Sequence, residues 1–215
     1  MAEKNLDFDT VIDRTHTNSL KYDFAVQRGK PKDVLPLWVA DMDFQVSSYI
    51  QEALAGSVAH GIFGYSEADG SYFEAVAGWM GRHYGWNVEE PWLVKTPGIV
   101  FALAQAVRAF TEPGDAVLLQ QPVYYPFSQV IRDNGRKIVD NTLVQGEDGR
   151  YRIDFADFEE KIRSCKVKLF FLCNPHNPVG RVWTREELLR LGDICEKYGV
   201  IVVSDEIHAD FVFEG

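Results

Sequence analysis

The chain has 215 residues, 46% of them hydrophobic and 25% charged, with a formal net charge of −10. That length allows one large domain, or a large domain with an appendage, of ordinary globular composition. The acidic balance argues against a nucleic-acid surface, which needs clustered Lys and Arg to displace counterions. The opening "MAEKNLDFDTVIDR" has no apolar secretory core, and the apolar runs fall short of the roughly 18 residues a membrane helix needs. The three cysteines, Cys165, Cys173 and Cys195, are odd in number and lack CxxC spacing, which fits reduced core thiols in a cytoplasmic protein.

Residues 1–45 have weak periodicity and several turn formers, and read as an extended arm. Within them "LPLWVADMDF" (Leu35 to Phe44) reads as a strand ending in acids. Two helical segments follow: "SSYIQEALAGSVAH", with Ser47 as N-cap, and "GSYFEAVAGWMGRHY", with Phe73, Val76, Ala77 and Met80 on one face. The glycine-rich "GIFGYSEADG" between them is a loop that presents Tyr65.

From Trp92 onward, strand-like pieces alternate with helical ones. The strands are "WLVKT", "DAVLLQQ", "RKIVDNTL", "KVKLFFLC" and a buried "GVIVVS"; the helices are Ile99 to Phe110, Tyr125 to Asn134, Phe155 to Arg163 and Thr184 to Tyr198. The last helix carries a capping-box signature, Thr184 with Glu187. Short apolar strands alternating with helices predict an α/β protein of three layers, α/β/α, around a mainly parallel sheet. Right-handed crossovers would gather the strand C-termini on one edge, where open α/β sheets bind ligands. The chain stops at "DFVFEG", just after a strand-like "FVF", and reads as interrupted.

Unusual groups fall where the strands should end: "TPG", "QPVYYPF", "CNPHNPVG" and "DEIH". Together they predict a pocket at that edge. In "CNPHNPVGRVW" each Asn-Pro step demands extended backbone and excludes helix. Asn174 reads equally well as a backbone cap, whereas Pro178 and Gly180 would hold Asn177 with its amide free for a ligand. In "TPGIVFALAQAV" a glycine opens a helix, whose first amides, near Ile99 and Val100, attract phosphate or carboxylate. It is neither a Walker loop nor GxGxxG, which disfavours a nucleotide. In "PVYYPF" a tyrosine ring could stack on a flat ligand or simply cover the sheet end. Asp205, a carboxylate at the mouth of an apolar strand, needs a positive partner, either an arginine of the fold or a protonated ring nitrogen of a bound heterocycle. His208 reads as a helix-end cap or a donor into the same pocket. A metal held by Asp205, His208 and His176 matches no standard spacing, and no metal is expected.

Together these segments resemble the large domain of the fold-type I enzymes that use pyridoxal 5'-phosphate (PLP), the aspartate aminotransferase superfamily. "NPHNPVG" is similar to that family's N-P-x-N-P-[TV]-G, and "SDEIH" to its strand ending in Asp-Glu; the resemblance runs from about Leu35 to the last residue. Within the superfamily, "LPLWVADMDF" and the histidine of "DEIH" resemble the MalY/PatB-type carbon–sulfur lyases. The resemblance implies an arm and part of a small domain at 1–45, and a PLP-binding large domain at 46–215 that is incomplete at its C-terminal end.

The roles it implies are as follows. Asp205 pairs with the pyridinium nitrogen, Asn177 bonds the ring O3' with His208 beside it, Tyr124 stacks on the ring, and the amides of Ile99 and Val100 hold the phosphate. Those two positions carry no side-chain hydroxyl, so part of the phosphate grip comes from elsewhere. Tyr65 reaches the phosphate of a neighbouring subunit, implying a homodimer with shared sites, and backbone near Ala40 and the Asn177 amide meet the amino-acid substrate. The activity implied is β-elimination from cystathionine- or cysteine-type substrates to thiol, pyruvate and ammonia. An aminotransferase and a non-catalytic PLP-fold fragment are the alternatives. The Schiff-base lysine of the family falls beyond this chain: no serine here has lysine at the third position after it, and Lys95 and Lys168 sit in or before strands.

Overall fold

The computed structural model describes residues 6–213. They divide into two compact units, 1–75 and 76–215. Among the described residues no helix is long and apolar enough to cross a membrane.

The first unit contains a 3-10 turn, Val26–Arg28, and helix α1, Ser48–His60. Ser47 caps α1 as expected, its hydroxyl accepting from the Tyr49 amide, and Gly61 ends it in the left-handed conformation. The arm is not simply extended. It folds back on itself through ions: Arg14 reaches Asp41 and Asp43 at 2.5 Å each, and Lys21, only 6% exposed, donates to the Asp41 carbonyl at 2.8 Å. "LPLWVADMDF" is not a strand. These side-chain bonds hold it instead of a ladder, and Val39 sits in the left-handed region at φ +63, a strained conformation for a β-branched residue.

Helix α2, Gly70–Tyr84, spans the boundary between the units. In the second unit, α3 (Ile99–Phe110), β1 (Ala116–Leu119), α4 (Tyr125–Asp133) and β2 (Lys137–Asp140) follow. A hairpin of β3 (Val144–Gln145) and β4 (Tyr151–Arg152) was not foreseen. It leads to α5 (Phe155–Cys165), β5 (Leu169–Cys173), α6 (Arg185–Tyr198) and β6 (Ile201–Asp205). "WLVKT" is not a strand: Pro91 opens a 3-10 turn, Glu90–Trp92, and irregular chain follows. "FVF" is not one either, since Phe211 closes the 3-10 turn Ala209–Phe211.

The main sheet has the order β2-β1-β5-β6, and every pairing is parallel. Alternate side chains point to opposite faces. Val117, Leu119, Leu169, Phe171 and Cys173 pack with Leu103 and Val107 of α3 and Phe127 and Ile131 of α4. Leu118, Phe170 and Leu172 pack on the other face with Phe158 and Ile162 of α5 and Leu191 and Ile194 of α6. The three-layer expectation therefore holds. Both crossover helices of the second face are capped: Asp154 accepts from the Ala156 and Asp157 amides, and Thr184 forms the complete capping box with Glu187.

Two burial expectations need correction. β6 is the outer strand among those described, so Ile201 and Val202 are about 40% and 41% exposed rather than buried. Cys165 is exposed at the end of α5, and only Cys173 and Cys195 are core thiols.

Candidate functional site

All four strands of the main sheet run in one direction, so their C-terminal ends share one edge. A short turn joins α3 to β1, which reverses the chain and opens the N-terminus of α3 at that same edge. There Gly98 adopts φ +112, a backbone conformation that a side chain would strain. The first amides of α3, including those of Ile99 and Val100, have no acceptor within the helix.

Asp205 is the last residue of β6, in register with Cys173 of β5. It is 7% exposed, and its Oδ1 accepts from the Ile207 amide at 3.1 Å. Among the described residues it forms no ion pair, and no arginine claims it. A buried carboxylate without a cation is costly, so the position is suited to a positively charged ligand group. The Asp205 carbonyl accepts from the Asn174 amide at 3.0 Å, which ties the end of β6 to the loop after β5.

That loop separates its two asparagines by role. The Asn174 side-chain oxygen accepts from the Trp183 amide at 3.1 Å, the backbone-capping reading. The Asn177 amide N–H meets the Cys173 sulfur at 3.4 Å, while its carboxamide makes no hydrogen bond among the described residues. Both Asn-Pro peptide bonds, and that of Gln121–Pro122, are cis. Gly180, at φ +67, closes the turn by donating to the His176 carbonyl at 2.9 Å. Burial, helped by the charge of Asp205 and opposed by the Asn177 amide, pushes the Cys173 thiol up to about 11, which favours the protonated thiol at neutral pH.

Tyr124 precedes α4 and is partly exposed, edge-on to Phe127 at 6.3 Å. Its hydroxyl pKa is raised first by burial, then by Tyr125 and Asp205, so it shares an electrostatic neighbourhood with the carboxylate. His208 precedes the turn Ala209–Phe211 and lines a cavity of about 450 Å³ together with Asn177, His176, Arg181 and Phe211. Asp205, Tyr124, Ile99 and Val100 are not in the wall of that cavity; of these four, Tyr124 feels the charge of Asp205. Ala40 and Tyr65 belong to the first unit. Ala40 follows strained Val39 in a bend, and Tyr65 is fully exposed between α1 and α2.

The sequence reading missed polar residues that are buried here. Gln120 and Asn141, 1% and 0% exposed, bond each other at 2.9 Å beneath the edge, and Asn141 reaches Asp157 at 2.8 Å. Their signal was an amide side chain closing an otherwise apolar strand. His176, weighed only as a metal ligand, is 2% exposed and lies 3.0 Å from the Pro122 carbonyl. Among the described residues no three His, Cys, Asp or Glu side chains are grouped to hold a metal.

The family model for class I and II aminotransferases matches residues 32–215. Cystathionine beta-lyase PatB of Bacillus subtilis (strain 168) is 49% identical over 98% of this chain and 54% of that protein. Protein MalY of Escherichia coli (strain K12) is 34% identical over 96% of this chain and 53% of that protein. The crystal structure of cystalysin from Treponema denticola, which contains a pyridoxal 5'-phosphate cofactor, matches with a TM-score of 0.90 at 38% identity, covering 98% of this chain and 54% of that one. The chain spans about half the length of these relatives.

Proposed function

Because the chain belongs to the class I and II aminotransferase family, we propose that it is the N-terminal part of a PLP-dependent carbon–sulfur β-lyase acting on cystathionine- or cysteine-type amino acids. The observation that carries the reading is Asp205: a buried carboxylate at the ligand-binding edge of a parallel sheet, with no cationic partner among the described residues. PLP, when bound, supplies an electron sink for the pair left at the substrate α-carbon.

The chain's own residues make that sink work. Asp205 holds a proton at the ring nitrogen, where its negative charge favours the cationic form. The free carboxamide of Asn177 donates at the ring edge to O3' and turns to the substrate, with His208 on the wall of the same cavity. The Tyr124 ring covers one face and excludes water from it. The amides of Ile99 and Val100 hold the phosphate at the start of α3, where the helix dipole favours an anion. Ala40 presents backbone to the substrate carboxylate, and exposed Tyr65 serves the site of a second subunit in a cytoplasmic homodimer. The substrate loses its α-proton and its thiolate, which leave as thiol, and water hydrolyses the remaining aminoacrylate to pyruvate and ammonia. No residue of this chain is assigned as the base or as the cofactor lysine.

The test is an assay of the whole protein carrying this chain with L-cystathionine and no keto acid. Pyruvate release supports the lyase. Strict dependence on 2-oxoglutarate would instead establish transfer, the reading its family match favours second. A protein that binds no PLP would be a non-catalytic module.

A further inference from the structure

A single side chain spans the gap between the loop after β5 and the loop after β1. The His176 ring is packed edge-on against Trp183, with centroids 5.4 Å apart, and its Nε2 lies 3.0 Å from the Pro122 carbonyl oxygen. A carbonyl only accepts, so Nε2 carries the proton and Nδ1 does not. Nδ1 is buried and has no hydrogen-bond partner among the described residues. Burial also holds the ring's pKa below its ordinary value, in keeping with a neutral ring. An apolar side chain of similar bulk would fill the space beside Trp183 without stranding a nitrogen, and so would be the cheaper filler. What histidine adds at this position is the Nε2–H donation.

The placement of that bond gives it a use. Pro122 lies two residues before Tyr124, and His176 immediately precedes Asn177. The His176 backbone is itself fixed, its amide donating to the Arg181 carbonyl at 2.7 Å and its carbonyl accepting from Gly180 at 2.9 Å. Among the described residues, the His176 ring joins the segment 120–124 to the segment 174–182: its Nε2 meets the Pro122 carbonyl at 3.0 Å, and the Gln120 backbone also acts on the ring. We propose that His176 is a positioning residue, whose Nε2–H bond to the Pro122 carbonyl sets the span between the Tyr124 ring and the Asn177 carboxamide. The inference rests on the reading of those two groups as the face and the edge of a cofactor slot. It adds that the slot's width is set by a histidine that touches neither cofactor nor substrate.

The whole protein carrying this chain is first titrated with PLP. If the wild type does not bind, the functional reading fails and His176 is not at issue. If it binds, His176→Leu is expected to weaken PLP affinity on the order of tenfold, the worth of one hydrogen bond, and to lower kcat more than it changes KM for the amino acid. His176→Gln, whose side-chain amide can still donate to the carbonyl, is expected to recover most of the loss. A merely structural ring would lower the melting temperature of both variants alike and leave the PLP affinity of the folded protein unchanged. That result, or a Gln variant no better than the Leu variant, overturns the proposal. Should the Leu variant not fold, side-chain NMR of His176 in the wild type decides: in the neutral ring the proton is expected on Nε2. A neutral Nδ1–H tautomer, which leaves Nε2 without a proton to donate, is incompatible with the bond and overturns the proposal.

Discussion

In the first unit the buried residues among those described are Ser19, Lys21 and Ala25, and the contacts around them are ionic: Arg14 with Asp41 and Asp43, Lys21 with both acids, Tyr22 with Asp43. In the second unit the core is built mainly of Leu, Ile, Val and Phe on both faces of a parallel sheet, closed on both sides by helices. The forces differ in kind. Apolar burial is non-directional and is not screened by ionic strength, whereas ion pairs near the surface weaken with ionic strength and with protonation of their carboxylates. The unit that carries Asp205, Asn177 and Tyr124 is therefore the robust one, and the unit that carries Ala40 is the one that solution conditions can loosen.

The largest expected effect is in the second unit. Phe171 is 1% exposed, packs edge-on to Phe127 at 5.4 Å and lies two residues before Cys173 on the same strand face. Phe171→Ala should cost about 3–5 kcal/mol in denaturant unfolding and vary little between low and high salt. A strong salt dependence of that loss would blur the contrast between the units.

A smaller and conditional effect is expected from Lys21→Met, which keeps the stem and removes the charge facing Asp41 and Asp43. Amide hydrogen exchange around residues 41–43 should quicken several-fold at low salt and less at high salt, with the second unit unchanged. Equal quickening at all salt concentrations would show that packing, not charge, holds the bend.

The mildest expectation concerns acid. The Arg14 guanidinium, then the Tyr22 hydroxyl and Lys21, against the opposing effect of burial, hold the Asp43 carboxyl below its ordinary 3.8. A depressed carboxylate contributes its stability in full above the ordinary value and loses it as pH falls through the lower, folded one. Protection around Asp43, measured against the intrinsic exchange rate at each pH, should thus be steady above about pH 4 and fall below it. In the second unit, Arg152 holds Asp148 down to about 2, so the β3–β4 hairpin should lose that pair only as the pH approaches that value. Loosening of the hairpin before the bend would reverse the order expected here.

The same contrast explains what could be read from the chain alone. The second unit was legible because its signals are local: apolar runs such as "LFFLC" and the Thr184–Glu187 box each name their own element. The bend at "LPLWVADMDF" was misread as a strand because its partners, Arg14 and Lys21, lie more than a dozen residues upstream and leave no periodic trace. "WLVKT" has strand composition, but Pro91 turns the chain just before it. At the site, Asp205 was legible as a charge at the end of an apolar strand, and Pro178 and Gly180 marked Asn177 as the asparagine with a free amide. For Asn174 the sequence left an even choice, and the bond from the Trp183 amide decides it for the backbone cap. His176 was visible as a residue but not as a link, because nothing in the sequence shows that it meets Pro122, 54 positions earlier.

The most direct test looks at a proton. In the whole protein loaded with PLP isotopically labelled at the ring nitrogen, NMR should find that nitrogen protonated in the wild type and unprotonated in Asp205→Asn, with β-elimination lowered at least a hundredfold, the order seen when a preorganised electrostatic partner is lost. An unprotonated nitrogen in the wild type, or one still protonated beside Asn, would contradict the role given to this carboxylate and with it the reading of the site.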